Sequence, residues 1–147
     1  MKRKVHLVAA VLALLFLAVF WSSTVVAELF LSAAAVATVK QAIAWALLGF
    51  VPVMAVTGAS GFSMGGKSKH PTITAKRKRM PVIGGIGLLV LAPAAVFLAQ
   101  RAQAGVFDGV FYGVQALELV AGAVNLVLIG RNFRDGWNMR RRKRSSD

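Results

Sequence analysis

The sequence predicts an all-α fold: an integral membrane bundle of four transmembrane helices, with N and C termini cytoplasmic. Three observations carry this. The 147 residues are 57% hydrophobic with a mean hydropathy of +0.67, more apolar surface than a soluble domain of this size ordinarily carries. The apolar residues fall in long runs, and about 20 of them in succession suffice for a helix to cross the hydrocarbon core. The cations alternate along the chain. Lys2, Arg3 and Lys4 open it, Lys67, Lys69, Lys76, Arg77, Lys78 and Arg79 lie between the second and third apolar runs, and Arg131, Arg134, Arg140, Arg141, Arg142, Lys143 and Arg144 follow the last. Of the 18 Lys and Arg residues, only Lys40 and Arg101 fall in the other extramembrane segments. Segments rich in Lys and Arg stay on the cytoplasmic side, which orients the chain.

Residues 1–147 read as a single membrane domain. Span one covers about 5–27. A cleaved signal peptide is the competing reading, with a basic start at 2–4, an apolar stretch at 7–20 and Val25-Val26-Ala27 as a cleavage site. The apolar character resumes at once after Ala27, which favours a span. Residues 29–39 are apolar but too short to cross, so 28–40 reads as an outer turn with a short alanine-rich helix at the interface.

Span two covers 41–60. Pro52 inside it removes the bond to the Leu48 carbonyl and predicts a kink. Residues 61–80 form a basic cytoplasmic loop, broken by glycines and Pro71 and too charged to enter lipid. Span three covers 81–99. Pro81 suits its first turn, Gly84 and Gly87 share a face that permits close helix approach, and Pro93 predicts a second kink. A short outer loop, 100–107, leads to span four at 108–130. The tail, 131–147, is basic and amphipathic at first, with Trp137 placed for the headgroup region. It reads as lying on the inner surface and then fraying.

Span four holds the most informative pattern. Tyr112, Gln115, Glu118, Gly122 and Asn125 fall within about 140° on a helical wheel. Such a polar stripe is costly to expose to lipid, so it should face the bundle or a partner. Gly109, Gly113, Ala116 and Ala123 form a small-residue strip on the adjacent face, and Gly109 and Gly113 make a G-x-x-x-G pair that admits a neighbouring backbone. Glu118 is the one acid well inside a span. An acidic residue at the bilayer centre costs about 2.5–3.5 kcal/mol on insertion scales. Glu118 must therefore be neutral or paired. It reads as a structural hydrogen-bonding group, or as a proton relay or polar ligand anchor.

His6 and His70 are the two histidines, both placed on the cytoplasmic side. Imidazole is a common haem ligand, so they are the candidate haem-binding residues, with Met54, Met64 or Met80 as a second ligand; the bland alternative is two solvated interfacial histidines and packing methionines. There is no cysteine, which excludes disulfides and thiol chemistry, and no metal site is expected. Gly61 to Ser68 matches G-x-x-x-x-G-K-[ST], but the pattern cradles phosphate only between a strand and a helix. Here it follows a membrane span and precedes Pro71. Lys76, Arg77, Lys78 and Arg79, with Arg140, Arg141 and Arg142 in the tail, are candidates for anionic lipid headgroups, at about 1 kcal/mol per basic residue near the surface. They lack the interleaved aromatics of a nucleic-acid platform.

The runs RMPVIGGIGLLVLAPAA and FYGVQALELVAGAVNLVLIGRNFRDG, within about two thirds of the chain from Val39 onward, resemble a group of small bacterial inner-membrane proteins. That resemblance implies a four-helix fold. Lys4-Val5-His6-Leu7 is weakly similar to the first-helix histidine of the CopD and HemJ-type haem-associated membrane proteins, which implies haem b on His6. Gln115 and Glu118 stand where those families tend to show histidine or lysine.

No catalytic set is recognisable, so a non-enzymatic role is expected. The leading expectation is an accessory or assembly component that associates through span four, as a homo-oligomer or with a membrane protein partner. The alternatives are a b-type haem electron-transfer protein and a small proton-coupled transporter using Glu118.

Overall fold

The computed structural model describes residues 2–65 and 71–144, and they are almost entirely helical. Helix α1 is Lys2–Phe30, α2 is Ala33–Gly65, α3 is Pro71–Gly85, a π-helical segment is Ile86–Leu91, α4 is Ala92–Gln103 and α5 is Gly109–Arg144. The π segment joins α3 and α4 into one continuous helix, so four helices among the described residues are long and apolar enough to cross a membrane. At 1.5 Å per residue, 36-residue α5 is about 54 Å long, well beyond a hydrocarbon core of about 30 Å.

The bundle has a turn end, where α1 meets α2 and α4 meets α5, and a terminal end, which holds the start of α1 and the close of α5. α1 packs most extensively against α2, and α2 against α4. α1 buries Ala9, Ala13, Leu17, Thr24 and Ala27, a narrow seam at helical spacing. The main core joins Leu17, Ile43, Leu47, Phe50, Leu91 and Ile129 from all four helices, with Phe16 and Phe20 edging against Phe50. A second cluster at the turn end holds Ala27, Val36, Leu98, Ala102 and Phe111. Leu15, Val19, Leu48, Leu89 and Val120 point outward, as lipid-facing positions do.

Several boundaries differ from the sequence expectation. Residues 33–40 are the first turns of α2 rather than an interfacial helix. Leu31 and Ser32 alone make the turn, Ser32 Oγ caps the Ala35 amide at 3.3 Å, and the alanine-rich start favours helix. Lys40 had marked the end of the loop, yet it is buried. Residues 61–65 and 71–80 are helical, and Pro81 lies inside α3 instead of in a first turn. Basic side chains are barred from lipid but are good helix formers, and Pro71 supplies the helix start.

Proline shapes span three differently from a simple kink. Pro93 has no N–H, and the turn before it widens, with the Ala92 amide bonding back to the Gly87 carbonyl. Pro52 is accommodated within a continuous α2. The tail from 131 to 144 continues α5 as helix.

Candidate functional site

The face α5 turns inward sets the site. Gln115, Gly122 and Asn125 are buried, and Glu118 is nearly so. These four lie within about 80° of one another at 100° per residue. Tyr112, at the edge of the stripe, is 53% exposed and packs its ring against Phe111 instead of joining them. The small-residue strip points away: Gly109, Gly113 and Ala116 are exposed.

The partner of Glu118 comes from α2. Lys40 Nζ lies 2.5 Å from Glu118 Oε2, and Lys40 is 1% exposed. The ammonium also donates to Thr24 Oγ1 of α1 at 3.4 Å, and Gln115 Nε2 donates to the same Glu118 oxygen at 3.0 Å. Glu28, in the last turn of α1, interacts electrostatically with both Lys40 and Glu118. Its Oε1 is buried without a hydrogen-bond partner, and so is Gln115 Oε1. Three helices thus bring one cation and two acids together near the turn end. The pairing answers how Glu118 is tolerated inside a span. A buried pair offsets desolvation only when close and further hydrogen-bonded, as Glu118 Oε2 is.

Towards the bundle centre, Trp21 Nε1 donates to the Leu119 carbonyl at 2.9 Å. Its ring lies over Gly122, where an added Cβ would sit 2.9 Å from Trp21 Cδ1. A cavity of about 30 Å³ adjoins them, lined by apolar side chains with Thr24 and Glu118. One turn further, Asn125 is fully buried, and neither side-chain atom has a hydrogen-bond partner. It lies beside Gly87 of the π segment, where an added Cβ would sit 3.7 Å from its Nδ2 and 3.5 Å from the Met54 methyl group. A Cβ on Gly87 would thus make only ordinary contacts, and one on Gly84 would meet nothing within 4 Å, so neither glycine is required by a close helix approach.

At the terminal end, His6 Nδ1 lies 3.0 Å from Ser60 Oγ. The Ser60 hydroxyl donates to the Val56 carbonyl, so Nδ1–H is the donor to Ser60 and Nε2 carries the free lone pair of a neutral ring. The His6 ring and the Met80 methyl group flank the same point beside Gly61. His70 lies outside the described residues. His6 is the only histidine among those described, which also hold no group of three or more His, Asp or Glu able to take a metal. Gly61 to Gly65 are helical, not a phosphate-binding loop, and positions 66–68 of that pattern lie outside the described residues.

The basic segments of the terminal end pair with each other. Arg79 Nη1 reaches Asp135 Oδ2 at 2.7 Å and Asn132 Oδ1 at 3.4 Å. Lys76 approaches Gly136, Lys78 is exposed, and Arg77 is part-buried. Of Arg140, Arg141 and Arg142 the structure describes only the helical backbone. At the turn end Arg101 binds both carboxyl oxygens of Asp108 at 2.7 Å. Asp108 caps α5 through the Phe111 amide, and that bond, then the Arg101 guanidinium, holds its carboxyl below the usual range.

Sequence reasoning found Gln115, Glu118, Gly122 and Asn125 but missed Lys40, Glu28, Thr24 and Trp21. Lys40 was read as an extramembrane charge, though a lone lysine on the cation-poor side of a span is itself a sign of an internal partner. Comparisons with protein-family models, curated proteins and solved structures find no match to this chain.

Proposed function

We propose that this chain is a non-enzymatic accessory or assembly component of the bacterial inner membrane, which works by pairing α5 with α5 of a second copy. The observation that carries the reading is the outward strip of α5. Gly109, Gly113 and Ala116 are exposed, and a Cβ built on Gly109 or Gly113 meets nothing within 4 Å. A small-residue strip lets two backbones approach and is self-complementary, which suits a twofold pair. The inward stripe leaves this face free for the purpose, because Glu118 is already held by Lys40. Both termini are assigned to the cytoplasm by the cation distribution, and the cations of α3 and the tail are assigned to anionic headgroups there.

The test is blue-native electrophoresis and crosslinking of the detergent-purified protein. Wild type should run as a dimer and Gly113→Leu as a monomer with unchanged helicity. A monomeric wild type, or a Gly113→Leu dimer of wild-type strength, would overturn the reading.

A further inference from the structure

The cluster at the turn end has an uneven charge. Glu28 and Glu118 share a single buried ammonium, Lys40, so with all three ionised it carries one net negative charge. An unbalanced charge in low dielectric is strongly disfavoured. The donors are also unevenly shared. Glu118 Oε2 accepts from both Lys40 and Gln115, while Glu28 Oε1 is buried and accepts from nothing. Gln115 is 4% exposed, and its amide is aimed into the cluster, yet its Oε1 also lacks a donor. Two orphaned acceptor oxygens beside an excess negative charge point to a missing hydrogen.

We propose that Glu28 is a proton-binding site, whose carboxyl takes up and releases one proton beside the Lys40–Glu118 pair. In the proton-loaded state Glu28 is a neutral acid, the cluster has no net charge, and its O–H supplies a donor where there is none. On release the proton passes to water and the Glu28 carboxylate competes with Glu118 for the Lys40 ammonium. Access fits the role. Glu28 is in the last turn of α1 and is partly exposed, whereas Lys40 is sealed. The charged groups acting on Glu28 are Lys40 on α2 and Glu118 on α5, which in turn hold Thr24 of α1 and Gln115 of α5. The other charges at this end, Arg101 on α4 and Asp108 just before α5, are bound to each other. The proposal does not rest on pairing between copies of α5.

The experiment is infrared difference spectroscopy of the full chain in lipid nanodiscs, stepped in pH in sodium and in potassium buffer. Wild type should show a protonated-carboxyl band that vanishes reversibly as the pH is raised, alike in both salts. Glu28→Gln should lack the band, and Glu28→Asp should retain it at a shifted position. The proposal is overturned by no titrating carboxyl band in wild type, by a band unchanged in either variant, or by a wild-type band that sodium or potassium abolishes at fixed pH. The last outcome would mark a cation site instead. Wild type and Glu28→Asp decide the matter even if Glu28→Gln does not fold.

Discussion

Lys40 Nζ and Glu118 Oε2 meet at 2.5 Å across the bundle although 78 residues separate them in sequence. Lys40 has almost no access to solvent, so breaking the pair from one side strands a charge. Lys40→Met is expected to destabilise the bundle by about 3–5 kcal/mol, the usual effect of orphaning one member of a buried pair. The double variant Lys40→Met/Glu118→Leu should recover most of that loss. Reversible unfolding in mixed micelles measures both. Equal loss in the single and double variants would show that the pair is not what stabilises the site.

Gly122 and Trp21 make the contact that seats α1 on α5. A methyl group at Gly122 would press on Trp21 Cδ1 and threaten the indole bond to the Leu119 carbonyl. Gly122→Ala is expected to cost about 1–3 kcal/mol by overpacking, and to shift the Trp21 emission in a variant whose other tryptophans are replaced by phenylalanine. Unchanged stability and emission would mean that the contact yields freely.

Asp108 should make the start of α5 sensitive to acid. Its folded carboxyl titrates below the ordinary value of 3.8, through the Phe111 amide first and Arg101 second. A depressed folded value favours the carboxylate in the folded state. Its contribution is therefore complete above the unfolded value and lost as pH falls through the folded one. Exchange of the Phe111 and Tyr112 amides, corrected for intrinsic rates, should accelerate only in that acid window. In Asp108→Ala it should be fast at neutral pH as well.

Arg79 and Asp135 tie the extramembrane part of α3 to that of α5. Both are partly exposed, at 27% and 21%, so their coupling in a double-mutant cycle should be no more than about 1 kcal/mol and should shrink in high salt. A larger, salt-independent coupling would assign the two helix ends a rigidity that a screened pair does not supply.

The four-span architecture was legible because the bilayer imposes long apolar runs and because cations cluster before the first run, between the second and third, and after the last. The inward half of α5 was legible for the same kind of reason. Gln115, Glu118, Gly122 and Asn125 share one face of a helix, and lipid excludes a polar face. Tyr112 escaped the pattern because it sits at the edge of the arc, where helical periodicity no longer distinguishes interior from surface. Residues 61–65 and 71–80 were misread as loop because charge reports on contact with water, and helices continue into water.

Sequence by itself determined which stretches are helical spans and which side of α5 must be hidden, since both follow from local periodicity and the cost of placing polar groups in hydrocarbon. Only the tertiary structure decided who meets Glu118. Lys40 resembles a boundary residue until the short turn at Leu31 and Ser32 carries α2 back along α1 and sets that lysine level with Glu118. The same turn leaves Glu28 beside them as the second claimant to one ammonium. Such a meeting depends on helix register across three spans, and no local pattern in the chain encodes it.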